Sequence, residues 1–333
     1  MTNAVQNRRK QGQQTKPIVI NGSMDIAQRS TSVTGITADG LRTCDRWRTN
    51  IDSYGTYTMT QSTTVPTGQG FFNSFKIDCT TADASPGAGD LFTFEQRFEG
   101  QEVQMFKKGT SSAERYTLAF WIRSNLTGNF TVNLVDSDNS RRIGALVTIS
   151  QANTFEKKVI SFPKDTSGAF GNDNADSFRI QFFLGVGSNF TSGTLPTSAW
   201  ESATTANFAA GQTAFIGSST DNEVLITGVQ LEVGDFNADT IPPFQFEDVT
   251  TNLMRCQRYF EKVTVDYVGS SGGSGTKCVF WSYKVPKRAV PTITEANTTK
   301  TAVRHTSVDA YGINRDGDNS ADLGLDTTAD AEI

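Results

Sequence analysis

The stretch DNEVLITGVQLEVGDFNADTIPPFQFEDVTTNLMRCQRYFEK, residues 221–262, decides the fold. Val224 and Ile226 share one face of a strand. After Gly228 the apolar phase moves by one residue, to Val229, Leu231 and Val233, with Gln230 and Glu232 opposite. A phase change at a glycine marks a β-bulge, in which one extra residue bends the strand and re-aims its side chains. Ile241-Pro242-Pro243-Phe244 then reads as a crossing segment. Leu253, Cys256 and Phe260 recur at helical spacing behind the capping candidates Thr250, Thr251 and Asn252, which predicts a short helix over 252–258.

Upstream, apolar residues alternate with polar ones in short runs. Phe71, Phe75, Ile77 and Cys79 share one parity, as do Phe92, Phe94 and Phe98. The same holds for Tyr116, Leu118, Phe120 and Ile122. Phe130, Val132 and Leu134 follow, then Val147 and Ile149, then the segment from Phe155 to Phe162. Phe178, Ile180, Phe182, Leu184 and Val186 form the longest such face. Period-2 alternation, interrupted by Gly, Asn and Asp, predicts an antiparallel sandwich with one face of each sheet buried. About eight or nine strands over residues 70–234 suit a jelly roll, which hides most of its edges by folding one sheet onto another.

Downstream of the helix, strands are predicted over 261–268, 277–285, 292–297, 306–313 and the closing residues to Ile333. Val279, Trp281, Tyr283 and Val285 share a face, and Pro286 ends that strand because it cannot donate to a ladder. The run from Gly269 to Gly275 is a hairpin loop of Gly and Ser. The expected organisation is therefore a polar basic arm (1–17), a jelly-roll β-sandwich (18–250) and a short helix with a smaller antiparallel β domain (251–333). A unit of about 75 residues has a small core, so the last part is expected to oligomerise.

Other motifs appear in order along the chain. Asn21-Gly22-Ser23-Met24 and Ala27-Gln28-Arg29-Ser30 precede Cys44-Asp45-Arg46-Trp47. Glu95-Gln96-Arg97-Phe98-Glu99-Gly100 and Tyr116-Thr117-Leu118-Ala119-Phe120-Trp121 come next. Together with the GVQLE strand, the PF crossing, CQRYFEK at the helix end and a closing Thr328–Ile333, they resemble a family of bacteriophage virion surface proteins. These are tail-fibre and related proteins built on a carbohydrate-binding-module-like jelly roll. The resemblance runs from about residue 18 to the end. It implies a virion protein made in the host cytoplasm and probing host-surface glycan as a tail fibre or tail-associated adhesin; the small core of the last unit and the apolar strand from Val279 to Val285 add the expectation of a homotrimer joined there. A head decoration or head fibre without a ligand is the alternative, and a glycan depolymerase a third.

The 333-residue composition narrows the function classes. A formal net charge of -5 argues against nucleic-acid binding, which needs a basic face. No run of about 18 apolar residues occurs, so membrane insertion is not expected. The first sixteen residues are polar and basic, with no apolar core of the kind a signal peptide has. Arg8, Arg9, Lys10 and Lys16 stand in this arm of an otherwise acidic chain, and are expected to dock on an acidic virion partner. Cys44, Cys79, Cys256 and Cys278 are widely spaced and read as buried free thiols.

Candidate chemistry is sparse. Gly269, Ser271 and Gly273 match the G-x-S-x-G pattern, but they lie in a run of small residues between strands rather than on a strand-to-helix elbow. The single histidine, His305, stands in a Thr-rich segment. Glycan cleavage needs two carboxylates across a cleft; Glu95, Glu99, Asp136 and Asp138 are the nominees, and outward-facing charge explains them equally well. No catalytic residue is therefore assigned. Asx-rich runs at 136–139, 172–176 and 316–319 are ordinary turn formers and also candidates for a structural calcium ion; no other cofactor is expected. Glycan binding would rest on outward aromatics. Trp200 in the polar loop 188–212 is the first choice and Trp121, of the wrong parity for the core, the second. Tyr54 and Tyr57 in another loop follow. Trp47 and Trp281 read as structural.

Overall fold

The computed structural model describes residues 16–265, 277–295, 302–315 and 325–333, with only the backbone for 263–265, 277–281, 295, 302–305, 311–315 and 325–326. The chain divides into two units, one ending at Phe246 and the other spanning Glu247–Ile333.

The alternating runs become two antiparallel sheets. One contains, in spatial order, β1 (Ser32–Ile36), β4 (Thr56–Ser62), β5 (Ser74–Thr81), β13 (Glu223–Val233), β7 (Tyr116–Ser124) and β10 (Glu156–Phe162). The other contains β12 (Glu201–Ser202), β9 (Arg141–Ile149), β8 (Gly128–Asp136), β11 (Asp176–Val186), β6 (Leu91–Glu99), β3 (Arg48–Asp52) and β2 (Gly40–Leu41). Even-numbered residues of β7 and odd ones at the start of β5 face even-numbered residues of β6, β8 and β11 across one continuous core. Rings interlock between the sheets: Phe75 lies 4.7 Å from Phe94, and Phe120 lies 4.9 Å from Phe182. Each such ring contributes roughly 1.5–3 kcal/mol of burial.

The bulge lies where the phase change placed it. Gly228 has φ of +62°, and the pairing of β13 with β7 slips between Thr227, opposite Trp121, and Gln230, opposite Ala119. The amide of Val229 donates to the Gly22 carbonyl at 3.0 Å instead of to a strand. A Cβ on Gly22 would lie 2.2 Å from the Val229 oxygen, so only glycine fits there. Asn21 fixes this segment: its amide donates to Ile26 and Asp45 carbonyls at 2.9 and 3.0 Å, and its backbone carbonyl accepts from Trp47 Nε1 at 3.0 Å. The Asn-Gly-Ser-Met and Cys-Asp-Arg-Trp motifs thus clamp the bulge.

Two local expectations are corrected, and one outward-phased ring proves buried. Phe71 lies outside β5; its ring packs on Phe244 and Phe246 at 5.0 and 5.1 Å, over the crossing segment. Residues Tyr54 and Tyr57 are not loop aromatics open to solvent. Both are buried, Tyr57 within β4, and Tyr54 fills the space that glycines leave at 185 and 217. Phe183, off the main core by parity, is buried under the loop that carries Phe190 and Phe208.

In the second unit, α1 (Val249–Gln257) is capped by Asp248, whose carboxylate accepts from Thr251 N at 3.0 Å, so the three expected cap residues lie inside the first turn. β14 (Phe260–Val265) and β16 (Thr292–Glu295) flank the closing β19 (Leu325–Asp330). A second sheet orders β15 (Lys277–Ser282), β18 (Ala310–Arg315) and β17 (Ala302–Thr306). The single strand expected over 306–313 is instead a hairpin, and the one expected to reach Val285 stops at Ser282. The CQRYFEK residues form a hub: Cys256, Tyr259, Phe260 and Glu261 are buried, and the Tyr259 carbonyl accepts from Ala331 N at 2.7 Å. Glu261 pairs with buried Lys287 at 2.7 Å. Cys44, Cys79 and Cys256 are free and buried; the Cys278 side chain and residues 269–275 lie outside the description.

Candidate functional site

Odd-numbered residues of β7 point away from the core, so Trp121 and Arg123 stand on the outer face of the six-stranded sheet. Beneath Trp121, opposite Thr227, runs the bulge. A Cβ at Gly228 would meet Trp121 Cδ1 at 3.0 Å and Phe71 Cζ at 2.6 Å, so the glycine leaves room for both rings. The loop between β4 and β5 rises on one side with Thr64, Val65, Pro66, Thr67 and Gln69, and the turn between β9 and β10 on the other with Asn153, Thr154 and Phe155. Between them lies a groove of about 400 Å³. Trp121 and Phe155 are half-buried in it, while Thr64, Thr67 and Gln69 are exposed along its rim.

The cation in this groove is already engaged. Arg123 donates through Nε to the Asn153 carbonyl at 3.1 Å, through Nη2 to Asn153 Oδ1 at 3.1 Å and through Nη1 to Glu223 at 2.5 Å. Glu223 also meets Lys76 Nζ at 2.7 Å. Burial pushes the Glu223 carboxyl up, but hydrogen bonds from Lys76 and Arg123 outweigh this and hold it below its ordinary value. What the groove offers is aromatic surface, neutral hydroxyls and amides, and a guanidinium fixed as part of the wall.

Of the four aromatics singled out from sequence, only Trp121 is placed to touch a ligand. Trp200 is 6% exposed, donates from Nε1 to the Pro163 carbonyl at 2.9 Å and packs 5.5 Å from Tyr116. Its loop folds back so that the ring plugs the end of the sandwich. That burial, with that of Tyr54 and Tyr57, removes all three rings from the surface on which a sugar would stack. Phe155 and the loop 64–69 were missed because Phe155 reads as the start of a strand and the loop has no aromatic residue.

Of the expected docking residues, Arg8, Arg9 and Lys10 lie outside the described residues. Lys16 is exposed and 3.7 Å from Glu102 of its own chain. The nominated carboxylates have structural partners: Glu95 meets Arg97 and Gln181 at 2.7 Å each, and Glu99 accepts from Gln101 at 2.5 Å. Asp138 accepts from the Gly171 amide at 2.8 Å, and Asp136 lies 2.5 Å from Lys108 Nζ; in the calcium-candidate run 172–176, Asp176 pairs with Arg179 at 2.6 Å. Among the described residues no group of three or more His, Cys, Asp or Glu side chains is arranged to hold a metal ion; the run 316–319 lies outside them.

No family model and no curated protein matches the chain. Solved structures of similar fold include the enzymatically active domain of bacteriophage CBA120 tailspike protein 4, at 14% identity and a TM-score of 0.32, covering 65% of this chain and 21% of that one. A CBM4 module matches at 11% identity and a TM-score of 0.30, over 64% of this chain and 97% of the module. TmCBM61, solved in complex with β-1,4-galactotriose, matches at 11% identity and a TM-score of 0.32, over 66% of this chain and 99% of the module.

Proposed function

We propose that this chain is a non-enzymatic surface protein of a bacteriophage virion, a tail fibre or tail-associated adhesin whose sandwich holds host-surface glycan in the Trp121 groove. The observation that carries the reading is the pairing of two half-buried rings, Trp121 and Phe155, with hydroxyls and amides on both rims. A sugar presents C–H faces that stack on aromatic rings and hydroxyls that exchange hydrogen bonds, so a cleft that sets aromatic surface among hydroxyls and amides suits it. The order of motifs from Asn21 to Ile333 supports the virion setting. A homotrimer joined through the second unit would multiply a weak single-site affinity through avidity.

A second reading, a head decoration that binds only other virion proteins, is favoured by one observation. Phe72 is 78% exposed and Phe246 is 51% exposed, beside the Phe71–Phe244 contact. Such a patch suits a protein neighbour as well as a sugar. The two readings separate in a binding experiment with the oligomeric protein and intact cells of the host. An adhesin binds, and purified host surface polysaccharide competes it off; absence of binding at any accessible concentration overturns the adhesin reading.

A further inference from the structure

The most unusual chemistry in the molecule lies away from the groove, where the loop between β6 and β7 meets the end of β8. Lys108 has a side chain that is 0% exposed. Its Nζ lies 2.5 Å from Asp136 Oδ2 and 3.2 Å from Asp165 Oδ2, and those side chains are 0% and 3% exposed. The carbonyls of Ser167 and Gly168 accept from Nζ at 2.7 Å each. The rings of Phe170 and Trp200 wall the site, with centroids 5.3 and 5.8 Å from Nζ. The close approach to Asp136 Oδ2 is not aligned as a hydrogen bond, and among the described residues no other donor reaches that oxygen. Asp136 Oδ1 is held by two donors, Asn139 N at 3.0 Å and Asn139 Nδ2 at 3.2 Å. Asp165 is itself gripped by Arg141, Nε to Oδ2 at 2.8 Å and Nη2 to Oδ1 at 3.1 Å, and by the Ser167 amide at 3.0 Å.

We propose that this is a self-modifying site, at which Lys108 and Asp136 condense into an intramolecular isopeptide bond with Asp165 moving the protons. Asp165 takes a proton from the Lys108 ammonium. The amine attacks Asp136 Cγ, and charge developing on Oδ1 is met by the two Asn139 donors, which stand where an oxyanion hole requires them. Asp165 returns protons to Oδ2, and the Cγ–Oδ2 bond breaks as water departs. One N–C bond forms, one C–O bond is lost and one water is released. The ammonium and carboxylate charges disappear together, so neither oxidant nor cofactor is needed.

Three features favour condensation over a resting ion pair. Proximity within a fixed frame replaces a bimolecular encounter. The site is dry, and a buried ion pair repays its desolvation poorly, so converting it to a neutral amide relieves that cost. A carboxylate stands in place to shuttle protons: burial pushes the Asp165 carboxyl up, but hydrogen bonds from Arg141 and Ser167 and the charge of Lys108 hold it below its ordinary value and ionised, with Oδ2 3.2 Å from the Lys108 Nζ. The second buried lysine provides an internal control. Lys287 meets Glu261 at 2.7 Å, but among the described residues no second carboxylate stands by to carry the protons, and it should remain an ion pair. The bond at Lys108 would staple the loop crossing between the sheets to the seven-stranded sheet.

The test is the intact mass of the purified full-length protein under denaturing conditions, followed by tandem mass spectrometry of a digest. The expected result is a mass about 18 Da, one water, below that of the sequence. A branched peptide joining Lys108 to Asp136 should account for it. Lys108→Arg and Asp136→Ala should each have their full sequence mass, as should Asp165→Asn, which keeps the side-chain volume but removes the base. A wild-type protein at full sequence mass overturns the proposal, whatever the variants do. So does a water loss mapped to a single unbranched peptide or to Lys287.

Discussion

Replacing Trp200 by alanine tests whether this tryptophan belongs to the core or to a binding surface. The ring is 6% exposed, stands against Tyr116 and caps the buried Lys108. Truncating a ring of this kind costs about 3–5 kcal/mol in transfer and cavity energy. The Pro163 carbonyl loses its 2.9 Å donor, which adds about 1 kcal/mol for a buried acceptor. For a folding unit of this size each kcal/mol corresponds to about 2–4 °C in Tm, so thermal unfolding should begin roughly 10–20 °C lower. Binding to host cells, measured well below that temperature on folded protein, should be unchanged. A Tm within about 2 °C of wild type, or lost binding with an intact fold, refutes the core assignment.

Gly22→Ala should lower the urea midpoint, by about 1–3 kcal/mol or more in stability, because its Cβ would fall 2.2 Å from a backbone oxygen with nowhere to move; an unchanged midpoint contradicts the clamp at the bulge. Burial raises the Glu232 carboxyl from its ordinary range to about 7. A raised acid is protonated in the fold before it is in the unfolded chain, so its contribution to stability falls as pH rises from about 4.5 to 7 and then levels. Glu232→Gln should therefore gain stability over wild type, up to about 3 kcal/mol at pH 8 and little at pH 4; equal curves at both pH values contradict this. The solution mass at micromolar concentration should be that of a trimer, and a monomer would remove the avidity on which the adhesin reading relies.

Much of the fold is legible in the sequence because one-sided burial imposes a period of two, which Phe92, Phe94 and Phe98 or Phe178, Ile180 and Phe182 display openly. The bulge at Gly228 is legible for the same reason, since a slip of one residue exchanges the two faces. Parity fails where a loop covers the outer side of a sheet. Phe183 looks surface-bound by phase, yet the segment from Ser188 to Ser218 folds over it; Trp200, flanked by polar residues within that segment, turns its ring into the core. Helix spacing finds α1, but three consecutive hydroxyl and amide residues conceal the cap at Asp248. The groove is half-legible: Trp121 shows itself by parity, whereas the walls come from two loops far apart in sequence. The Lys108 cluster gives no sequence signal, because Lys108, Asp136 and Asp165 meet only through tertiary packing.

The most direct test of the account is the binding of Trp121→Ala to intact host cells, measured beside its Tm. Trp121 is half-buried on the outer face of β7, so the variant should melt within a few degrees of wild type. Losing the principal stacking surface should weaken binding at least tenfold, about 1.4 kcal/mol per site, with avidity enlarging the deficit. A folded Trp121→Ala protein that binds cells as wild type does would contradict the groove as the glycan site.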